Sequence, residues 1–165
     1  MLYTILIFPK GKDLPKIEKI RKHYDPLFSF IQAHITLVFP SRYDCPLEEI
    51  FQKIEEITFK PFSILPTGFS TSFEGTKNYI FLRFTSEDKF QSIHDSLYQK
   101  IFGYIPNSNY TPHITLGCFS NKEKCERAYE SLKISEFDNP IIIEEIAMER
   151  IEDDGSSTIL YRRKV

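Results

Sequence analysis

The sequence has no tryptophan, only six glycines and only three cysteines among its 165 residues. Cys45, Cys118 and Cys125 are odd in number and form no Cys-x-x-Cys pair, which argues against a disulfide framework and a structural zinc site. The apolar run from Leu2 to Phe8 is too short to cross a bilayer. No basic segment precedes this run and no small-residue cleavage site follows it, so we expect a cytoplasmic protein without a membrane anchor.

An excess of one charge is also missing, because 21 basic residues stand against 23 acidic residues and the net charge is −2. Proteins that bind long nucleic acids by neutralising phosphates usually carry a basic excess. We therefore expect no coating of DNA or RNA, whereas a pocket for one phosphate is compatible with this balance. Aromatic residues are frequent, and the 15 Phe and 9 Tyr favour sheets.

Hydrophobic periodicity predicts an alternation of strands and helices. The predicted strands cover residues 2–8, 34–39, 62–73, 79–85 and 113–119, followed by a closing hairpin of 141–151 and 158–163. The predicted helices cover residues 14–24, 46–57, 86–103 and 121–132. Local signals suggest that Ser86 and Asn121 cap helices, that Gly103 ends one, and that Pro40 ends a strand. In the first helix, Arg21 is expected on the polar face.

The order strand, helix, strand, helix, strand occurs twice, in the approximate halves 1–75 and 76–165. In both halves a similar number of residues separates the leading strand from a histidine, His34 in the first and His113 in the second. An internal repeat of this kind dictates the architecture. We therefore predict an α+β protein, a single domain over residues 1–165, in which two pseudo-symmetric lobes face each other.

The two halves share the tetrapeptide His-Ile-Thr-Leu, at residues 34–37 and again at 113–116. Side chains alternate between the faces of a strand, so each histidine shares a face with the threonine two positions later. The pattern therefore predicts that His34 and Thr36 line a central cleft with His113 and Thr115. The opposite faces are expected to be apolar and to include Phe39 in the first copy and Cys118 in the second.

Two imidazoles and two hydroxyls at one cleft suit the chemistry of a phosphodiester. The ordinary pKa of histidine is about 6.5, so near neutrality one ring can accept a proton from water while the other donates one to the departing oxygen. The threonine hydroxyls can donate hydrogen bonds to the phosphoryl oxygens. This scheme needs no metal and no cofactor, and the motifs lack the carboxylates that a metal hydrolase would usually add.

The paired motifs resemble the two signatures of the 2H phosphoesterase superfamily, and within it the 2′-5′ RNA ligase-like branch. The similarity includes the opening strand and three short stretches, Tyr24-Asp25-Pro26, Leu37-Val38-Phe39-Pro40 and Thr111-Pro112. The resemblance implies two lobes, each with an antiparallel sheet flanked by outer helices, around a central cleft. It also implies metal-independent hydrolysis or transfer at 2′,3′-cyclic or 2′-5′-linked phosphodiesters, with His34 and His113 as catalytic residues and Thr36 and Thr115 as phosphate-binding residues.

The sequence departs from that family pattern at two positions. Ala33 stands where many relatives have a proline before the first motif, and Cys118 stands where many have an arginine after the second. Strand alternation places Cys118 on the face opposite His113, as a small core residue. The positive charge for the phosphate therefore has to come from elsewhere, and the candidate rim residues are Arg42, Lys77 and Arg83.

The remaining histidines, His23 and His94, lie on predicted helices, where we expect them to face solvent or to pack. The partner implied by the family is a nucleotide or an RNA terminus, bound by a monomer that contacts no membrane. Three alternatives stay open among enzymes: cleavage of 2′-5′ oligonucleotides, RNA ligation and hydrolysis of an ADP-ribose cyclic phosphate. A fourth alternative is a module that binds a nucleotide or an RNA end without catalysis.

Overall fold

The computed structural model describes residues 1–107 and 110–165. Its strands are β1 (Leu2–Ile7), β2 (Ile35–Ser41), β3 (Phe62–Ile64), β4 (Pro66–Glu74), β5 (Lys77–Phe84), β6 (Ile114–Phe119), β7 (Ile141–Ile143), β8 (Glu145–Ile151) and β9 (Ser157–Lys164). Its helices are α1 (Leu14–Tyr24), α2 (Leu47–Glu55), α3 (Glu87–Phe102) and α4 (Lys122–Ser131), with a 3₁₀ turn at Ile134–Glu136. Within the two described ranges, no helix is both long and apolar enough to cross a membrane.

The predicted repeat is present in the order of the elements, because β1-α1-β2-α2-β3-β4 is followed by β5-α3-β6-α4-β7-β8. The first lobe is an antiparallel sheet with the strand order β2-β1-β8-β9, and the second lobe is an antiparallel sheet with the order β4-β5-β6. The first lobe therefore contains two strands from the second half of the chain, β8 and β9, and the second lobe contains one strand from the first half, β4. The α+β fold with two pseudo-symmetric lobes is confirmed, and its lobes are interleaved.

The strands β3 and β7 occupy equivalent places in the two halves and pair with each other. They run antiparallel, with Ser63 opposite Ile142 at the centre of the pair. A two-fold relation between the halves requires this arrangement, because equivalent strands that meet on a two-fold axis must be antiparallel. The helices cross between the lobes as well, since α1 packs against β6 and α3 packs against β2.

The core is continuous between the lobes. The isoleucine and leucine of both His-Ile-Thr-Leu motifs are completely buried in the same hydrophobic cluster, together with apolar residues of α1, α2, α3 and α4. The motif strands are therefore held from behind by apolar packing, which leaves their histidine and threonine faces for other contacts.

Two details of the chain differ from the sequence-based prediction. Strand β2 continues through Pro40 to Ser41, because it lies at the edge of its sheet, where a residue without an N–H group is tolerated. Ser86 does not cap α3: its backbone is left-handed, with φ 63°, and its hydroxyl makes no capping hydrogen bond, whereas a cap needs an extended backbone. The two other predictions for helix ends are confirmed, since Asn121 accepts a hydrogen bond from the Lys124 amide and α3 ends at Gly103.

Candidate active site

The two motif strands carry a β-bulge at the same position. Leu6 pairs with Thr36 while Ile5 pairs with Val38, so one residue of β2 is unpaired between them. In β6, the same single-residue gap separates Thr115 from Gly117. A bulge places two consecutive residues on one side of a strand and reverses the alternation beyond it. Both motif strands therefore switch faces after the leucine.

This reversal overturns two predictions about faces. Phe39 is 48% exposed and lines a cavity with His113, although simple alternation places it in the core. Tyr79 and Phe81 lie on the same face of β5. Tyr79 pairs with Cys118 and Phe81 pairs with Thr115, so Cys118 lies on the cleft face together with Thr115. The position where many relatives have an arginine therefore faces the cleft, and this chain has an uncharged thiol there.

The two motif histidines are held in the same way. His34 Nδ1 lies 2.8 Å from the Gln32 carbonyl oxygen, and His113 Nδ1 lies 2.7 Å from the Thr111 carbonyl oxygen. A carbonyl oxygen can only accept, so Nδ1 carries the proton in each neutral ring and Nε2 presents a lone pair. Each ring thus turns the nitrogen that can exchange a proton away from its own backbone.

The surroundings of both motif histidines lower their pKa values. The pKa of His34 is lowered to about 4, mainly by burial, and the charges of Arg21 and of His113 act in the same direction. Burial also lowers the pKa of His113, and the nearby Arg83 guanidinium adds to that effect. A charge on His113 is therefore felt at His34, and both rings favour the neutral form.

The motif threonines lie beside the histidines on the cleft face. Thr36 pairs with Leu6 on β1 and Thr115 pairs with Phe81 on β5, and both threonines are half-buried. In the part of the chain that the structure describes, neither hydroxyl has a hydrogen bond to another protein group. Both hydroxyls are therefore available to a ligand.

A cavity of about 560 Å³ opens between the lobes at His113. Its aromatic wall includes Phe81, whose ring stacks on the His113 ring with a centroid separation of 3.8 Å. Arg83 contributes the positive charge, and the remaining lining residues are Phe39, Ser70, Thr71, Ser72, Glu74, His94, Tyr98, Pro106, Tyr110 and Thr111. The cavity therefore combines aromatic surface with hydroxyls and one guanidinium.

Of the three rim candidates, the structure brings only Arg83 to this cavity. Arg83 forms an ion pair with Glu87 on the first turn of α3. Lys77 is exposed at the start of β5, and Arg42 is exposed just after β2; neither lines the cavity. Among the described residues, no group of three or more His, Cys, Asp or Glu side chains is arranged to hold a metal ion.

The other two histidines behave differently from each other. His23 is exposed on α1. His94 is 2% exposed, places Nδ1 2.7 Å from the Leu37 carbonyl oxygen and stacks on the Tyr110 ring. Because the Tyr110 hydroxyl donates to the Thr36 carbonyl oxygen at 2.7 Å, these side chains cover the free edge of β2. His94 therefore has the predicted packing role.

Sequence reasoning missed two arginines near the first motif. Arg21, expected on the polar face of α1, is 1% exposed, and its charge reaches His34. The Arg162 guanidinium lies 4.8 Å from the centroid of the Phe8 ring. Phe8 directly follows β1, next to the end of β2 where His34 stands. The available signal for the burial of Arg21 was that an apolar residue lies one helical turn before it and an aromatic residue lies one turn after it. No signal pointed to Arg162, because β9 joins this lobe only in the folded chain.

Comparison with known proteins agrees with this arrangement. The family model described as the 2′-5′ RNA ligase superfamily matches residues 8–155. A protein of Geobacillus kaustophilus with the provisional name phosphoesterase is 30% identical over 141 residues, which cover 82% of this chain and 80% of that protein.

Two solved structures of other proteins have a fold similar to this one. Escherichia coli LigT, solved in complex with 3′-AMP, superposes with a TM-score of 0.67 at 14% identity, covering 99% of this chain and 97% of LigT. Kluyveromyces marxianus Usb1 superposes with a TM-score of 0.54 at 8% identity, covering 96% of this chain and 97% of Usb1. These likenesses show the fold, and the family model covers most of the sequence: the chain belongs to the 2′-5′ RNA ligase superfamily, whose members are 2H phosphoesterases.

Proposed function

We propose that this protein is a phosphodiesterase that hydrolyses a 2′,3′-cyclic or 2′-5′-linked phosphodiester of a nucleotide or an RNA end. The observation that carries the proposal is the matched pair of histidines. Each has Nδ1 bound to the carbonyl two residues upstream, each presents Nε2, and the charge of one reaches the other. Two such groups on opposite lobes suit a reaction that removes one proton and supplies another.

In the proposed mechanism, His34 is the base and His113 is the acid. We assign the base to His34 because its pKa, lowered to about 4, keeps the ring in the neutral form in which Nε2 can accept a proton. Its Nε2 takes a proton from the attacking water as the water oxygen forms a bond to phosphorus. The bond from phosphorus to the ribose oxygen breaks, and that oxygen takes a proton from His113 Nε2. The products are a phosphomonoester and a free hydroxyl, and both histidines return to their starting states by exchange with solvent.

The charge that develops on the phosphoryl oxygens needs stabilising groups. The Thr36 and Thr115 hydroxyls lie beside the histidines and can each donate one hydrogen bond. Arg83 lines the same cavity as His113 and adds a full positive charge. In our proposal these three groups hold the phosphate, and Cys118 contributes no charge to it.

The nucleoside has space beside the phosphate. The cavity of about 560 Å³ offers the exposed ring of Phe39 and, from β4, the hydroxyl groups of Ser70, Thr71 and Ser72. A stacked base and hydrogen-bonded ribose suit such a lining, because every base presents an aromatic face. The complex of LigT with 3′-AMP supports a nucleotide as the ligand class.

The proposal is tested with His34→Ala and His113→Ala on adenosine 2′,3′-cyclic phosphate. Each variant should lose about 10²- to 10⁴-fold in kcat, the usual contribution of a positioned acid or base, while circular dichroism shows an intact fold. His23→Ala, which changes an exposed histidine of α1, is the matched control and should keep full activity. Wild-type turnover in either motif variant would overturn the mechanism, and activity that a chelator abolishes would argue for a metal-dependent reaction.

The same assay separates the competing functions. Saturable binding of the cyclic nucleotide without turnover would identify a binding module. A panel that includes a 2′-5′-linked dinucleotide and an ADP-ribose cyclic phosphate, with product analysis, would distinguish the enzymatic alternatives.

A further inference from the structure

A buried ionic cluster lies directly upstream of His34. Arg21, on α1, is 1% exposed and donates from Nε and Nη2 to Asp25 Oδ2, at 2.9 and 2.8 Å. Its Nη2 also donates to the Ile31 carbonyl oxygen at 2.9 Å, and its Nη1 donates to Glu18 Oε2 at 2.9 Å. A guanidinium that is fully enclosed by acceptors has lost its hydration, so these bonds hold it in one orientation.

The cluster continues to the residue next to His34. Glu18 Oε1 accepts a hydrogen bond of 2.6 Å from the Ala33 backbone N–H, and Asp25 Oδ1 accepts one of 3.0 Å from the Leu27 backbone N–H. The side chains of α1 therefore bind the connecting segment 25–33 at its beginning and at its end. That segment also provides the Gln32 carbonyl that accepts from His34 Nδ1.

Among the residues that the structure describes before His113, the second motif has no such ionic cluster. His113 follows Pro112, which has no N–H group, so the bond that Glu18 makes to Ala33 has no counterpart there. The residue of α3 that corresponds to Arg21, counted from the first helical residue, is His94, whose Nδ1 bonds to the Leu37 carbonyl oxygen on β2 and whose ring stacks on Tyr110, so its contact with the segment before His113 is not ionic. The ionic cluster is thus specific to His34, and Ala33 keeps the N–H group that the cluster uses.

We propose that Glu18 and Arg21 are positioning residues for His34. They hold residues 31–33 so that the Gln32 carbonyl can bind Nδ1, which presents Nε2 to the substrate. This inference rests on the proposed function for its consequence in catalysis, whereas its effect on the imidazole itself is independent of any reaction. It also explains how a motif without a preceding proline keeps its histidine in place.

The charges around His34 determine how the cluster acts on its proton affinity. Apart from burial, the charged and titratable groups that act on the ring are Arg21 and His113, which lower its pKa, and Asp25, which raises it. Asp25 and Glu18 partly neutralise Arg21 through direct hydrogen bonds. Positioning, more than net charge, is therefore the role that the cluster is suited to.

The test compares Glu18→Ala, Glu18→Gln and Arg21→Lys with the control Glu126→Gln, which removes an exposed carboxylate that pairs with Lys122 on α4. Glu18→Ala removes both hydrogen bonds of the carboxylate. We expect kcat to fall about 10- to 100-fold, the range for a misplaced catalytic group, with KM within about twofold. Arg21→Lys keeps the charge but loses the several N–H donors of the guanidinium, so kcat should again fall while KM changes little.

A second readout does not depend on activity. Imidazole NMR of the wild-type protein should show both motif histidines as the Nδ1–H tautomer. In Glu18→Ala the Nε2–H tautomer should appear at His34 and not at His113. An unchanged His34 tautomer with wild-type kcat would overturn the proposal, and so would an equal change at both histidines, because that would indicate a general loss of structure.

A double-mutant cycle provides the sharpest control. Ala33→Pro removes the N–H group that Glu18 binds, so the two substitutions act on one bond. If Glu18 acts through this bond, the double variant should lose no more activity than the more damaging single variant. Full additivity would overturn the proposed route. If the wild-type protein hydrolyses no substrate while Glu18→Ala still changes only the His34 tautomer, the positioning role stands and the proposed function fails.

Discussion

His34 and His113 occupy equivalent places in the two lobes but have different neighbours. His34 directly follows the segment that the ionic cluster of Glu18, Arg21 and Asp25 binds. His113 follows a proline, stacks on Phe81 and lies near Arg83. The strand, the bulge and the Nδ1 hydrogen bond are the same in both.

This comparison shows that the repeat preserves the backbone that bonds to Nδ1 and presents Nε2, while the two environments have diverged. The open cavity lies at His113, where Arg83 lines it while pairing with Glu87. At the equivalent place beside His34, the first lobe has the apolar ring of Phe8, with the Arg162 guanidinium over that ring. A symmetrical fold can thus provide two chemically different imidazoles, as an acid–base pair requires.

The largest expected effect separates the roles of the two lobes. With a nucleoside p-nitrophenyl phosphodiester, whose leaving group departs without a proton, His113→Ala should recover most of the 10²- to 10⁴-fold loss that it shows on a cyclic phosphate. His34→Ala should stay impaired on both substrates, because water still needs a base. Steady-state kinetics on the two substrates measures this difference. Recovery in His34→Ala instead would mean that the roles are reversed.

The pH dependence of kcat/KM is the next largest effect. In the proposed mechanism the active form has neutral His34 and protonated His113, and the pKa of each is lowered, that of His34 to about 4. The maximum of kcat/KM should therefore lie between about pH 4 and about pH 6.5, the ordinary pKa of histidine. Above the pH of that maximum, kcat/KM should fall tenfold per pH unit.

A control is needed for this profile because the fold itself loses stability as the pH falls. The unfolded chain takes up protons on these histidines near pH 6.5 while the folded chain does not, so the free energy of unfolding decreases toward pH 4. Circular dichroism at each pH would identify the range in which the protein is folded. A maximum at or above pH 7 would contradict the assignment of the two histidines.

A substitution after the bulge should affect stability in the second lobe. A Cβ atom at Gly117 would lie 2.8 Å from the Phe119 ring and 2.8 Å from Tyr24 Cβ. Gly117→Ala should therefore lower the free energy of unfolding by about 1–3 kcal/mol, as overpacking does. The first motif has Val38 at this position, so the requirement for glycine is not part of the repeat.

Urea unfolding of Gly117→Ala beside Gly68→Ala would measure this. Gly68, also on a strand of the second lobe, has open space where its Cβ would be. If the two variants are equally stable, α1 accommodates the added methyl group on β6 without a cost in free energy, and the prediction is wrong.

The smallest expected effect concerns the charge beside His113. Arg83→Met should lower kcat/KM roughly tenfold, because a charged hydrogen bond contributes about 1.5–3 kcal/mol at most and Glu87 already pairs with this arginine. It should also move the alkaline limb of the pH profile upward, since the Arg83 charge lowers the pKa of His113. Lys77→Met and Arg42→Met are controls that should change kcat/KM less than twofold. A similar loss in a control would show that the rim charges act together.

Much of the fold could be predicted from the sequence because its signals are local. The first helix begins at Leu14 and ends at Tyr24 as its periodicity predicts, and Asn121 caps α4. The two motifs were recognisable because they repeat in the same order of elements. The predictions for Phe39, Cys118 and the cap at Ser86 were wrong because each depends on a backbone irregularity that residue types do not reveal. The predicted strand end at Pro40 and the predicted exposure of Arg21 were wrong because they depend on sheet position and on distant contacts.

By itself the sequence determined the alternation of elements, the repeat and the residues His34 and His113, since periodicity and a repeated motif are properties of neighbouring residues. Only the tertiary structure decided which side chains meet. The placement of β4, β8 and β9 in the lobe of the other half, the burial of Arg21 and the location of Arg83 in the cavity depend on contacts between distant segments. Those contacts are selected by the burial of apolar surface over the whole chain, so no local pattern contains them.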